Sequence, residues 1–298
     1  MPRALSRRRL LTLSAGAASS VALSWALRPA RARARAQHKT LICIHLRGGA
    51  DGLSMLVPHA DPTYFRVRRC TALAAPGAGA DAVIDLDGRF GLHPRLAPLA
   101  AWYATGELAA WPAVGSQLIE RSHGRAERRL RDGIGRSLSP ERVLWLGEQR
   151  PGVVGWPLQL QLERVAREIE SGPAPAVAWT ELAGWDTHVA QGAADGGRLA
   201  ERLGYLATTL SWLRRRIAEH WNDVAVAIVT EFGRSVLEND CGGTDDGHAS
   251  ALFLLGGAIS GGRVFGSWPK LGTGAGLPAT TDMTQLMAEL VRDYAGTV

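Results

Sequence analysis

Carboxylates and imidazoles stand at the ends of the apolar runs in this chain. Asp51 follows Leu41–Leu46, Asp186 and His188 follow Ala176–Leu182, and Glu231 follows Val224–Thr230. Asp245, Asp246 and His248 come just before Ala251–Leu255. Each alone has an ordinary explanation, because an Asp beside glycine is commonly a turn residue and a single His beside a strand is commonly structural. Together they put a carboxylate at an end of four of the five apolar runs and an imidazole at two of them. Converging carboxylates repel one another unless a cation neutralises them or some stay protonated. A pair of divalent ions is the economical resolution, since carboxylate and imidazole are standard ligands for Mg, Mn, Zn and Ca. Asp51, Asp186, His188, Glu231, Asp245 and His248 are therefore the expected metal ligands, with two ions (Mn, Mg or Zn) the expected cofactors.

A nucleophile is harder to place. Ser122 beside His123, after the run Leu108–Val114, is the candidate catalytic hydroxyl. The same serine also suits an N-cap, which a helix favours for backbone reasons alone. Arg47 and Arg234 border the runs that carry Asp51 and Glu231, and a guanidinium fork would hold the non-bridging oxygens of an anionic ester. Arg121, Arg125, Arg128, Arg129, Arg131 and Arg136 read instead as a solvated helix face paired with Glu120 and Glu127.

To converge, these groups need a common scaffold. The five runs are short, uninterrupted and closed by Gly or polar residues, as strands covered on both faces are. Between the third and fourth, Leu199, Leu203, Leu206, Leu210, Leu213 and Ile217 recur at helical spacing. Further helices are expected over 92–105 and 282–294, a short amphipathic segment around 158–169, and a loop over 74–82. Strands alternating with helices give an α/β fold with a mostly parallel central sheet flanked by helices. In such sheets, ligands collect outside the carboxyl ends of the strands, where the ionisable residues stand here.

The first 36 residues have another purpose. Ser6-Arg7-Arg8-Arg9-Leu10-Leu11 opens an uncharged stretch to Leu27, and Ala34-Arg35-Ala36 precedes Gln37. A charged start, an apolar middle and a small-x-small exit describe a signal peptide, here with the paired arginines of the twin-arginine route. A permanent N-terminal anchor is the alternative. Residues 1–36 hold eight arginines and no acid, so the remaining chain carries 26 basic against 28 acidic side chains, a net charge of about −2. The basic character of the whole chain is thus no argument for nucleic-acid binding. Residues 37–298 suffice for a single domain. The three cysteines make no disulfide framework, and Cys43 within Leu41–Leu46 reads as a buried thiol. No second apolar stretch reaches membrane-spanning length.

Several motifs add up to a family. They are Gly48-Gly49-Ala50-Asp51-Gly52-Leu53, Arg89-Phe90-Gly91-Leu92-His93-Pro94, Arg121-Ser122-His123, Gly184-Trp185-Asp186-Thr187-His188, Glu231-Phe232-Gly233-Arg234 and Gly243-Thr244-Asp245, followed by Gly256-Gly257 and Gly261–Gly266. From about residue 39 onward the chain resembles the twin-arginine-exported proteins grouped as domain of unknown function 1501, which are similar to the alkaline phosphatase and sulfatase superfamily. The resemblance implies an alkaline-phosphatase-like fold, Asp51 as a metal ligand, Ser122 as nucleophile, Asp186 with His188 as later ligands, and His248 as the final histidine. Glu231 and Phe232 stand where the superfamily has Asp-His. Asp246 stands where the family commonly has His, and the stretch from Trp156 to Trp185 is short for the family. Either departure implies an altered metal preference or a degenerate site.

The expected protein is an exported, periplasmic or extracellular, metal-dependent hydrolase of small phosphate or sulfate esters, with the twin-arginine translocase as its partner in export and no nucleic-acid partner. The alternative is a non-catalytic, metal-stabilised envelope binding or assembly protein of the same fold. Replacing both Arg7 and Arg8 by Lys should hold the precursor in the cytoplasm, while the exported wild type should begin near Gln37. Fractionation with N-terminal sequencing checks this, and normal export of the double variant would leave only a general secretory signal.

Overall fold

A computed structural model describes residues 39–116, 125–147, 157–194, 196–272 and 276–295. The expected signal segment and Ser122 lie outside the described residues. In chain order the elements begin with β1 (Thr40–Arg47), α1 (Gly52–Met55), β2 (Leu56–Val57), α2 (Pro62–Val67), β3 (Ile84–Asp85), β4 (Gly91–Leu92) and α3 (Ala97–Ala104). Then come β5 (Leu108–Gly115), α4 (Arg125–Ser137), β6 (Val143–Trp145), α5 (Leu158–Ser171), β7 (Val177–Ala183), α6 (Arg198–Arg216) and β8 (Val224–Thr230). The chain continues with β9 (Arg234–Glu238), β10 (Thr244–Asp246), β11 (Ser250–Leu255), β12 (Arg263–Val264), β13 (Thr281–Asp282) and α7 (Met283–Ala295).

The main sheet runs β12-β5-β11-β8-β1-β7-β6, with β13 also on β5. Its central strand, β1, pairs in parallel with β7 and β8, setting Ile42 beside Ala178 and Val226. Successive side chains of a strand alternate between faces. Ile42, Ile44 and Leu46 enter one core with Leu99 of α3, Leu162 of α5 and Leu203 of α6, while Leu41 and Cys43 enter the other with Ile134 of α4 and Leu290 of α7. Both faces are covered, which is why these strands read as unbroken apolar runs.

β11 departs from the parallel pattern, pairing antiparallel with both β5 and β8. Its start, and His248 before it, therefore lie at the end of the sheet where β1, β7 and β8 finish. The hairpin of β9 and β10 was not foreseen, because its alternation is short and polar. The expected helix at 92–105 is shortened: Leu92 pairs with Leu56 and Ile84 in a small sheet, and Pro94–Leu96 form a single 3-10 turn before α3.

Gly233, between β8 and β9, packs against the segment leading into β11. A β-carbon there would lie 1.8 Å from the carbonyl oxygen of Ala249. Gly233→Ala should therefore lower unfolding stability by about 3 kcal/mol, as severe overpacking does. Gly133→Ala, in open space on α4, should not lower it. Urea unfolding of the two variants measures the contrast.

Candidate functional site

β1 leaves the sheet through Gly48 and Gly49, with φ of +116° and +78°. Glycine is required here on two counts: L side chains avoid that backbone region, and a β-carbon on Gly49 would come within 2.2 Å of the Phe232 ring. The turn is tied to β8, since the Gly48 amide donates to Glu231 Oε1 at 2.9 Å and the Ala50 amide to Thr230 Oγ1 at 3.0 Å.

Arg234 joins the strand ends. Its side chain is wholly buried. Nε donates to the Gly49 carbonyl at 2.7 Å; Nη2 donates to the carbonyls of Gly48 (2.7 Å) and Trp185 (3.2 Å) and to Asp186 Oδ1 (3.0 Å). Nη1 reaches Asp246 Oδ1 at 2.9 Å, the Thr244 carbonyl at 3.3 Å and His188 Nδ1 at 3.0 Å. His188 Nδ1 also bonds Asp186 Oδ1, and its Nε2 lies 3.6 Å from Asp246 Oδ1. Burial pushes the Asp186 carboxyl up, but hydrogen bonds from His188 and Arg234 outweigh it and hold the group at about 2. The expectation that Arg234 holds substrate oxygens is thereby corrected: its donors are spent on buried carbonyls and carboxylates.

Asp51 has a different setting from the one its sequence position implied. Arg68, at the end of α2, donates through Nη1 to Oδ2 and through Nη2 to Oδ1, both side chains being fully buried. Ser54 Oγ (2.6 Å) and Gln191 Nε2 (2.8 Å) also donate to Oδ2. Gln191 in turn accepts from the hydroxyls of Thr187 and Thr244. Burial raises the Asp51 carboxyl, yet the Arg68 charge and these bonds prevail and lower it. Its oxygens are committed to four hydrogen bonds, so Asp51 stands as an internal ion-pair partner. Asp245 is exposed and accepts from Asn239 Nδ2 at 2.8 Å. His248 is half-buried, and burial lowers its pKa. The structure thus groups Asp186 and His188 with Asp246 around Arg234, and leaves Asp51 and Asp245 with other partners.

A second cluster lies on the α4 face of the same strand ends, and sequence reasoning missed most of it. His45, Glu127 and Glu231 are the one group of three His, Cys, Asp or Glu among the described residues that could hold a metal, their ligand atoms lying within 4.8 Å of one another. His45 is fully buried beside Trp179, with ring centroids 5.5 Å apart, and neither ring nitrogen has a hydrogen bond. Its Nε2 lies 3.8 Å from Glu231 Oε2. Burial, aided by the charges of Arg47 and Arg131, pushes the imidazole down to about 3, so it is neutral at ordinary pH. Register puts Glu181 of β7 beside His45. Burial and the Glu127 charge raise the Glu181 carboxyl well above the usual range, even with Arg47 and Arg131 near. Arg131 Nη1 lies 3.4 Å from Glu127, and its guanidinium rests 4.8 Å over Trp145. Of the sequence candidates, Glu231 and Arg47 belong here. His45 went unread because it continues an apolar run, and Glu127 because it matched a solvated helix face. The usable signal was an imidazole inside an otherwise apolar strand, since a buried polar group needs a partner.

The molecule is a mixed α/β protein whose mostly parallel sheet gathers ionisable side chains at the carboxyl ends of its strands. Residues 166–294 match the model of a family described as protein of unknown function (DUF1501), so the family resemblance holds across β7, α6, β8 and α7. No curated protein matches the chain. Among solved structures it is similar to the C-terminal periplasmic domain of EcEptC from Escherichia coli, in complex with Zn, at 10% identity and a TM-score of 0.44, covering 89% of this chain and 84% of that one. It is also similar to a protein in the alkaline phosphatase superfamily from Vibrio parahaemolyticus, at 10% identity and a TM-score of 0.37, covering 78% and 63%.

Removing the charge of Asp51 strands Arg68 in the interior. Asp51→Asn should cost about 3–5 kcal/mol of unfolding free energy, as loss of one partner of a buried pair does. Both Asp51 and Asp186 are held below their ordinary value of 3.8. Their contribution is therefore present above that pH and is lost as pH falls toward about 2, where Asp186 takes up its proton. Urea unfolding between pH 2 and 7 should show this acid loss in the wild type and a shallower one in Asp186→Asn. Identical profiles would mean that the Asp186 pairing adds nothing to stability.

Proposed function

We propose that this protein is an exported, metal-dependent hydrolase of small phosphate or sulfate esters, whose divalent ion is held by His45, Glu127 and Glu231. The observation that carries the reading is the fully buried, neutral His45, with no hydrogen bond to either nitrogen and two carboxylates whose oxygens lie within 4.8 Å of each other and of the ring nitrogen. A neutral imidazole with carboxylates is a donor set that Zn and Mn both accept. Burial first, and then the Glu127 charge, raise the Glu181 carboxyl, and a bound cation would offset both. For four-coordinate Zn, ligand atoms about 2.1 Å from the ion lie roughly 3.5 Å apart, so a small inward movement of the three side chains would close the site. When bound, the ion would polarise an ester oxygen and favour ionisation of an attacking hydroxyl or water.

The chain's own residues would supply the rest. Arg47, at the end of β1 and close enough for its charge to act on both His45 and Glu181, would take the non-bridging oxygens of the ester. Arg131, fixed between Glu127 and the Trp145 ring, would add positive charge on the same side. Ser122, which precedes Glu127 by five residues, is the hydroxyl assigned as nucleophile. Buried Trp179 excludes water from behind the imidazole.

The test is elemental analysis of the purified mature protein, followed by assays with an aryl phosphate and an aryl sulfate in Mn, Mg and Zn. Turnover is expected, with His45→Ala lowering kcat/KM more than about 100-fold, beyond what loss of an outer partner of a metal site brings. Bound metal without turnover would leave a metal-stabilised envelope binding protein. Turnover unchanged in His45→Ala would remove this site from the chemistry.

A further inference from the structure

Carboxylates at the ends of parallel strands call for positive charge, and in this chain two arginines from distant segments supply it. Arg68 is chelated by Asp51, with Ser54 and Gln191 completing the carboxylate's bonds. Arg234 is surrounded by Asp186, Asp246 and His188. Both guanidinium groups are wholly buried. We infer that Arg68 and Arg234 are fixed cations standing in place of metal ions, so that Asp51, Asp186, His188 and Asp246 take no divalent ion.

Three observations support this. A guanidinium keeps its charge at every pH a protein tolerates, so the neutralisation needs no cofactor. Arg234 could not swing aside for an ion without abandoning the carbonyls of Gly48, Gly49 and Trp185, whose bonds to it hold the β1 and β7 turns together. Arg68 is held in the same way by the carbonyls of Ser235 and Val236 in β9. The hydrogen-bond geometry also differs from that of the other cluster: here each ring nitrogen or carboxylate named has a protein donor or cation beside it, whereas neither nitrogen of His45 has a hydrogen bond. The two-ion centre expected from the sequence thus becomes one ion at most among the described residues, at the His45 group. That stoichiometry of one rests on the proposed function; the closure of the arginine groups does not.

The experiment counts ions on the mature protein by equilibrium dialysis against Mn²⁺ and Zn²⁺ separately, with elemental analysis. It covers the wild type, His45→Ala and Asp186→Asn, each checked for folding by circular dichroism. One ion per chain, kept in Asp186→Asn and lost in His45→Ala, is the expected result and supports both readings. No ion on any form leaves the arginine inference standing and overturns the proposed metal site. Two ions, one of them lost in Asp186→Asn, overturns the inference and leaves the His45 site intact. One ion that is lost in Asp186→Asn but kept in His45→Ala overturns both. If a variant fails to fold, thermal unfolding of the wild type with and without excess Mn²⁺ decides the matter together with Gln191→Glu. That substitution adds a carboxylate beside Asp51: continued absence of a second ion supports closure by Arg68, and uptake of one overturns it.

Discussion

The guanidinium of Arg234 is the joint on which the upper end of this molecule depends. Three chain segments that leave the sheet at different strands, the Gly48-Gly49 turn, the Trp185-Asp186 turn and the Thr244–Asp246 strand, all place an acceptor on it. A planar cation with five N–H groups meets the demand for both hydrogen bonds and charge. Its burial is tolerable because carbonyl and carboxylate oxygens accept from it, and the flanking carboxylates Asp186 and Asp246 keep one edge toward water.

With that end fixed, the two faces of the strand tips take separate roles. On one side the carboxylates are neutralised by covalently attached cations and the arrangement is closed. On the other, α4 brings Glu127 and Arg131 over β1 and β7, where neither nitrogen of His45 has a hydrogen bond and burial and the Glu127 charge raise the Glu181 carboxyl. The ligand proposed above would sit with the second group, where Arg131 lies between Glu127 and Glu181. The proposed chemistry follows from that asymmetry more than from any single motif.

Much of the scaffold was legible in the residues. The apolar runs at 41–46, 108–114, 176–182, 224–230 and 251–255 are all strands of the main sheet, because burial on both faces leaves no room for polar alternation. The leucine spacing at 199–213 fell on the buried face of α6 for the reason that helices turn every 3.6 residues. Strand direction was not legible, since an apolar run looks the same read either way, and so the reversal of β11 was unforeseen. The site was legible as a location but not as a set of partners. Asp186, His188 and Glu231 fell at strand ends as expected, yet which acid meets which cation is decided by residues such as Arg68 that carry no motif. His45 illustrates the opposite failure: its position was obvious, but its neighbours in the run disguised it.

The pairing of β1 has a consequence for how the protein is made. β1 is the centre of the sheet, yet both of its neighbours, residues 177–183 and 224–230, come from the last half of the chain. A nascent chain therefore presents this largely apolar strand with an unpaired edge until residues 224–230 have been made. Contacts of such long sequence separation slow folding, and an uncovered strand is a template for aggregation while it waits. A cell making this protein gains from sheltering β1 until residues 224–230 have emerged, since only then can both of its edges be paired.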